Sequence, residues 1–253
     1  MLVIKHPTLK LLSYFFPAKD QSDLSEGYLS RPSTLRFWVG LFVVLPVFLQ
    51  APWVHFHPLS ALLFTFVLLA VGIFLVEFSE NKWFRIGSLI VGVSGSWLGG
   101  CLFWGWLRMH PVLHLPVEAV AMPFAFVGLS TKWRIGAAFY LSCLLGTAFT
   151  DLMMLFTGVM SSWPQVVSAP IDKAAQLLNQ TSLQLFSFPI LFGISIAAFL
   201  IIFLSDQMNQ RGKIISLSGS AWLVAGTALT TTLWVDGLFL LTALIQPKLS
   251  GLI

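Results

Sequence analysis

The sequence predicts an all-α, polytopic transmembrane helix bundle with about seven spans. Hydrophobic residues occupy 57% of the 253 positions and charged residues only 9%, and the mean hydropathy is +0.87. In soluble domains, hydrophobic residues average about 45–50% and charged residues about 25%. A soluble fold of this length could not cover so much apolar surface with so few charged side chains. The composition therefore excludes a soluble enzyme, a disordered chain and a secreted disulfide scaffold.

Seven apolar runs define the predicted spans, and most have the roughly 20 residues needed to cross about 30 Å of hydrocarbon. The fourth run is short and contains Pro116 and Pro123, so a kinked or re-entrant segment is the alternative to a full span there. The runs are Phe37–Val54, Ala61–Phe78, Ile86–Leu107, His114–Ser130, Ile135–Met160, Leu183–Leu204 and Leu217–Ile245.

Basic residues are distributed unevenly between the two sides of this bundle. Of the 14 Lys and Arg residues, 11 fall on the side of the N-terminus and 3 on the other. The richer side is cytoplasmic, so we expect the N-terminus inside and the C-terminus outside. Lys132 and Arg134 lie on the richer side only if the fourth run crosses the membrane. Because the basic residues lie one or two at a time between apolar runs, the net charge of +4 does not indicate nucleic-acid binding.

The predicted organisation is one membrane domain with two tails. Residues 1–35 form a cytoplasmic N-terminal tail, either a short basic amphipathic helix on the membrane surface or a loosely ordered segment. Residues 36–247 form the transmembrane domain and residues 248–253 the C-terminal tail. The outer connection Ile171–Thr181 has the apolar spacing of an interfacial helix.

Two further patterns concern packing within the membrane. Small residues at Gly92, Ser96 and Gly100 predict close helix contacts, within the monomer or, as the less favoured alternative, in a dimer. Cys101 and Cys143 fall at different depths of their helices, offset by roughly 10 Å, so we expect no disulfide.

Three acids lie away from the ends of the predicted spans, all in the outer half: Glu118, Asp151 and Asp236. A charged side chain in hydrocarbon costs several kcal/mol, and no Lys or Arg lies at comparable depth. These acids must therefore be protonated, paired with histidine, solvated or bound to a cation. His114 and Glu118 form an i,i+4 pair on one helix face.

The histidines point to the same region. His110 and His114 lie at the outer boundary together with His55 and His57, although Pro111 and Pro116 argue against one helix through His110. We expect Glu118, Asp151 and His114 to converge in one polar pocket with Asp236 at its rim. Hydrogen bonds from Thr147 or Thr150 would support it, and His110 is a further candidate.

Three interpretations of this pocket remain open. The side chains hold the helices together, carry protons or substrate along an outward-opening pathway, or bind a divalent metal. The sequence contains no P-loop, nucleophile-elbow, zinc-protease or dinucleotide-binding motif. It therefore predicts no catalytic residue and no cofactor, and leaves a membrane-embedded enzyme as the least favoured class. A His-x-His pair alone is no zinc signature.

Three stretches resemble an uncharacterised family of multi-spanning cyanobacterial membrane proteins, a domain of unknown function. They are VFLQAP at Val47–Pro52, LPVEA at Leu115–Ala119 continuing to Pro123, and LGTAFTD at Leu145–Asp151. The resemblance runs from the first span into the sixth. It implies a thylakoid or plasma membrane location and supplies no activity.

Two functions follow from these observations. The first is a transporter-like or proton- or ion-coupled bundle with an outward-facing polar pocket. The second is a non-catalytic assembly or accessory role in a photosynthetic or respiratory membrane complex. The expected partners are membrane lipid and either a larger membrane complex or a second copy of the chain, with no nucleic acid.

Overall fold

The computed structural model describes residues 32–214 and 216–245, and this part of the chain is predominantly helical, without a β-strand. Seven helical segments are long and apolar enough to cross a membrane, which confirms the predicted fold class and an integral membrane protein. The proposed amphipathic helix near the N-terminus and the C-terminal tail lie outside the described residues.

The helices follow one another with short connections. In chain order they are α1 (Pro32–Phe56), α2 (Pro58–Phe78), α3 (Asn81–Leu102, continued by a π-helical turn over Phe103–Leu107), α4 (His114–Glu118), α5 (Met122–Gly128), α6 (Arg134–Phe156), α7 (Val159–Ser168), α8 (Ile171–Gln184), α9 (Phe188–Arg211) and α10 (Leu217–Ile245). The end of the bundle at which α1 and α3 finish is called the distal end below.

The fourth apolar run is broken but returns the chain to the opposite end. It consists of a 3-10 turn at Pro111–Leu113, α4, a second 3-10 turn at Ala119–Ala121, and α5. The next residues bring Lys132 Nζ to 2.5 Å from Glu77 Oε1, next to the end of α2. Since α3 also begins there and finishes at the distal end, the broken segment runs the length of the bundle. A re-entrant segment is therefore wrong, and the predicted kink is present.

Two predicted runs include residues that lie outside the spanning helix. The fifth run was expected to reach Met160, but α6 ends at Phe156 because Gly158 adopts a φ of +77° and starts a new helix. The sixth was expected to begin at Leu183, which belongs to α8, whereas α9 begins at Phe188 and continues to Arg211.

The centre of the bundle is formed by α1, α3, α6 and α10. Their largest shared core contains Val39, Leu89, Phe139 and Val224, all almost completely buried. Helix α2 packs mainly on α3, and α9 packs on α10. The outward faces of α2 and α9 carry exposed aliphatic and phenylalanine side chains, as lipid contact requires.

Small residues allow α3 to approach its neighbours within the chain. A Cβ atom added to Gly92 would collide with the backbone of Gly136 on α6, and Gly136 N donates a hydrogen bond to Ser88 Oγ (3.0 Å). Gly99 faces Glu118, and Gly100 faces Gln50. Packing inside the monomer is thus confirmed. Cys101 and Cys143 are both free, as predicted.

Two helices cover part of the distal end. The predicted helix at 171–181 is present as α8 and continues to Gln184. Ala174 and Leu178 pack against Val166 of α7 and Ala243 of α10. Asn179 Nδ2 donates to the backbone oxygen of Leu244 at 2.9 Å, which ties α8 to the end of α10.

Candidate functional site

His114 lies between the carboxyl groups of two acids. Its Nδ1 is 3.0 Å from Asp151 Oδ1, and its Nε2 is 3.2 Å from Glu118 Oε1. The exposed fractions of the side chains are 23% for His114, 19% for Glu118 and 12% for Asp151, so none of the three is completely buried by the protein. These residues are called the His114 cluster below.

The geometry of the His114 cluster determines how many protons it holds. Each nitrogen–oxygen contact needs one hydrogen, because neither a bare ring nitrogen nor a carboxylate oxygen donates. The two contacts therefore hold two protons, either both on an imidazolium or one on the ring and one on a carboxylic acid. Both forms carry a net charge of −1 and differ only in the position of one proton.

Local structure brings His114 and Glu118 onto one face. The single turn of α4 separates them by four residues, which places both side chains on the same side. The aromatic ring of Phe103, in the π-helical turn of α3, packs on the imidazole with ring centres 4.3 Å apart. Gly99 allows close approach, since a Cβ there would lie 2.7 Å from Glu118 Cα.

Two residues of α6 complete the surroundings of Glu118. Thr147 Oγ1 donates to Glu118 Oε2 at 2.9 Å. In the 3-10 turn, Met122 N bonds to the Ala119 carbonyl, so the Glu118 carbonyl loses its usual i+4 donor. Tyr140 OH donates to that carbonyl at 2.5 Å. Sequence reasoning missed Tyr140.

A periodic signal for Tyr140 exists in the sequence. Tyr140, Thr147 and Asp151 are spaced by seven and four residues, which places them on one face of α6. They form a polar stripe on a largely apolar helix. This spacing, read together with the acid at Asp151, would have identified the tyrosine.

Asp236 lies apart from the hydrogen bonds of the His114 cluster. Its Oδ2 is 2.6 Å from Oγ1 of Thr150, the residue that precedes Asp151 on α6. Among the predicted candidates, His110 has an exposed side chain in the turn before Pro111, and the structure gives it no contact with the cluster. His55 Nδ1 is instead 3.2 Å from Arg108 Nη1.

The described residues offer little for a metal ion. Over 32–214 and 216–245, no group of three or more His, Cys, Asp or Glu side chains is arranged to hold one. The structure thus gives no support to the divalent-metal interpretation. What the His114 cluster can do is hold two protons and pass one of them between the imidazole and a carboxyl group.

Comparison with known proteins identifies the family but no activity. No curated protein and no solved structure matches the chain. The model of a family described as "Protein of unknown function (DUF3120)" matches residues 39–244, a range that includes the whole His114 cluster, Tyr140, Thr147 and Asp236. Since this match covers most of the sequence, the chain belongs to the DUF3120 family of proteins of unknown function.

Proposed function

We propose that this protein is a proton-coupled membrane transport protein whose His114 cluster takes up and releases protons on the outer side. The observation that carries the proposal is one imidazole held between two carboxyl groups inside candidate spans, with all three side chains partly exposed. Moving one proton along a nitrogen–oxygen contact interconverts the two forms of the cluster at unchanged total charge.

The cost of such a cluster supports a functional role. A charged side chain at the centre of a helix in hydrocarbon costs about 2.5–3.5 kcal/mol on insertion scales, less away from the centre. Helices in membranes can be held together by neutral groups, as Ser205 Oγ does by donating to Gly226 O at 2.7 Å between α9 and α10. Two acids and a histidine are not needed for that purpose.

The backbone around the cluster supports the same proposal. Transporter sites are commonly built where membrane helices are interrupted, because irregular backbone at that depth is tolerated when it lines a polar site. Both segments next to His114 are interrupted, α3 by its π-helical turn and the fourth run by the 3-10 turn after Glu118. Single π-turns inside helices are frequent at functional sites.

We further place the protein in the thylakoid or plasma membrane of a cyanobacterium, with the distal end outside. The unequal distribution of Lys and Arg supports this orientation. The three stretches that resemble cyanobacterial proteins support the source. Co-migration of the protein with a photosynthetic or respiratory complex on native gels would instead favour the assembly role.

Proton flux into vesicles tests the proposal. The purified full-length protein is reconstituted with a pH-sensitive dye inside, a potassium gradient and valinomycin set the potential, and the internal pH is followed. We expect proton uptake above that of protein-free vesicles, and loss of this uptake in Glu118→Gln and Asp151→Asn. Glu77→Gln is the matched control, because Glu77 is 42% exposed and pairs with Lys132 at the other end of the bundle.

Two results would overturn the proposal: wild-type uptake no faster than that of protein-free vesicles, or full uptake in both cluster variants. If a cluster variant does not fold, Thr147→Val provides the test, since it removes one hydrogen bond to Glu118 and leaves every ionisable group in place. We expect it to change the rate of uptake, and an unchanged rate would contradict the role of Glu118.

A further inference from the structure

Thr150 has one hydroxyl proton and two oxygen neighbours. Its Oγ1 is 2.6 Å from Asp236 Oδ2 and 3.2 Å from the carbonyl oxygen of Gly146. A threonine hydroxyl donates only one hydrogen bond, although it can accept two. If Asp236 were ionised, both neighbours would be acceptors, and the two contacts would have to share one proton.

We propose that Asp236 rests as a neutral carboxylic acid that donates to Thr150, and that it forms a second proton site beside the His114 cluster. In this arrangement Asp236 donates to Thr150 Oγ1, and the Thr150 hydroxyl donates to Gly146 O. Each of the two contacts then has its own proton. This inference deepens the proposed proton-coupled function and rests on it for the role of the second proton.

The charged surroundings of Asp236 favour the neutral form. The titratable groups that face it are Asp151 on α6 and His114 on α4. Both belong to a cluster whose net charge is −1, so a second negative charge beside it is disfavoured in a medium of low dielectric constant. The contacts of α10 with Phe48 of α1, Asn179 of α8 and Ser205 of α9 are made by uncharged side chains. The charged Arg211 of α9 packs on Trp222, which precedes Asp236 by 14 residues on α10 and so lies about 21 Å away along the helix.

Release of this proton would reverse one hydrogen bond between two central helices. When the Asp236 O–H bond breaks, the carboxylate accepts, and the Thr150 hydroxyl turns from Gly146 O to Asp236 Oδ2. Helices α6 and α10 touch closely here, since a Cβ added to Gly146 would lie 2.6 Å from Thr232 Cγ2. The protonation state of Asp236 is thereby linked to the contact between α6 and α10.

Infrared spectroscopy of the full-length protein in vesicles tests this inference without any substrate. At pH 7 we expect a carbonyl band of a protonated carboxyl group that shifts when water is replaced by D2O. Asp236→Asn should remove this band, which is identified as the difference between the wild-type and variant spectra, because a carboxylic acid in the His114 cluster would give a band of its own. Asp206→Asn is the matched control and should leave it unchanged, because Asp206 is an exposed residue of α9 whose Oδ2 accepts a hydrogen bond from Gln210.

A second variant covers the case in which Asp236→Asn does not fold. Thr150→Val keeps the carboxyl group and removes its acceptor, so the band should move to higher frequency. The inference is overturned if wild type has no such band, if the band survives in Asp236→Asn, or if Thr150→Val leaves its frequency unchanged. Absence of proton flux with the Asp236 band intact would contradict only the proposed transport function, whereas flux without the band would contradict only this inference.

Discussion

Replacing Gly92 with Ala tests the contact between α3 and α6 that supports the site. The new Cβ would overlap the Gly136 carbonyl oxygen and lie 2.9 Å from its carbonyl carbon. Because these are backbone atoms, no side chain can rotate away and the helices must separate. Overpacking costs about 1–3 kcal/mol, and alanine recovers about 0.8–1.0 kcal/mol of helix propensity. Because the collision is with backbone, we take the upper half of the overpacking range and expect a net loss of about 1–2 kcal/mol in the free energy of unfolding.

Gly237→Ala is the matched control for this substitution. Gly237 lies on α10, is exposed, and has no atom within 4 Å of an added Cβ, so only the gain in helix propensity applies. In detergent, the midpoint of thermal unfolding should fall for Gly92→Ala by about 2–4 °C per kcal/mol and stay level or rise for Gly237→Ala. A Gly92→Ala protein as stable as wild type, or an equal loss in the control, would refute the reasoning.

Two further predictions concern the buried polar contacts and the orientation. Gln50 is 6% exposed and donates hydrogen bonds to Trp97 O (2.5 Å) and Cys101 Sγ (3.2 Å). Gln50→Leu removes both bonds and should lower the free energy of unfolding by about 0.6–1.7 kcal/mol. An unchanged free energy of unfolding would mean that these bonds contribute nothing. A reporter fused after Gln210 should give a cytoplasmic signal and one fused after Ser250 an external signal, and the reverse pattern would contradict the orientation inferred from Lys and Arg.

The sequence predicts the spans well because hydrocarbon requires long apolar helices. The predicted seventh run, Leu217–Ile245, coincides with α10. The errors occur where a span adjoins an amphipathic helix. Met160 and Leu183 extend the apolar runs in the sequence, yet both belong to helices that cover the distal end. Composition alone does not separate an apolar residue facing lipid from one packed against a neighbouring helix.

The site was predictable where it depends on a single helix. The spacing of His114 and Glu118 indicates their pairing, because side chains four residues apart share a helix face. His114 contacts Asp151, 37 residues away, because α4 packs on α6. The sequence indicated this packing only indirectly, through the energetic cost of two separate acids in hydrocarbon. The partner of Asp236 is Thr150, an arrangement set by the rotation of α10 against α6.

The break in the fourth segment and the polar face of α6 depend on each other. In the 3-10 turn before Pro123, the Glu118 carbonyl accepts an i+3 bond instead of the i+4 bond of an α-helix, and the geometry of such bonds is poorer. A carbonyl oxygen has two lone pairs and can accept a second bond. Tyr140 donates this second bond, and the same face of α6 offers Thr147 and Asp151 to the side chains of α4. The irregular backbone and the His114 cluster therefore share Glu118 and one face of α6, and they form one structural unit.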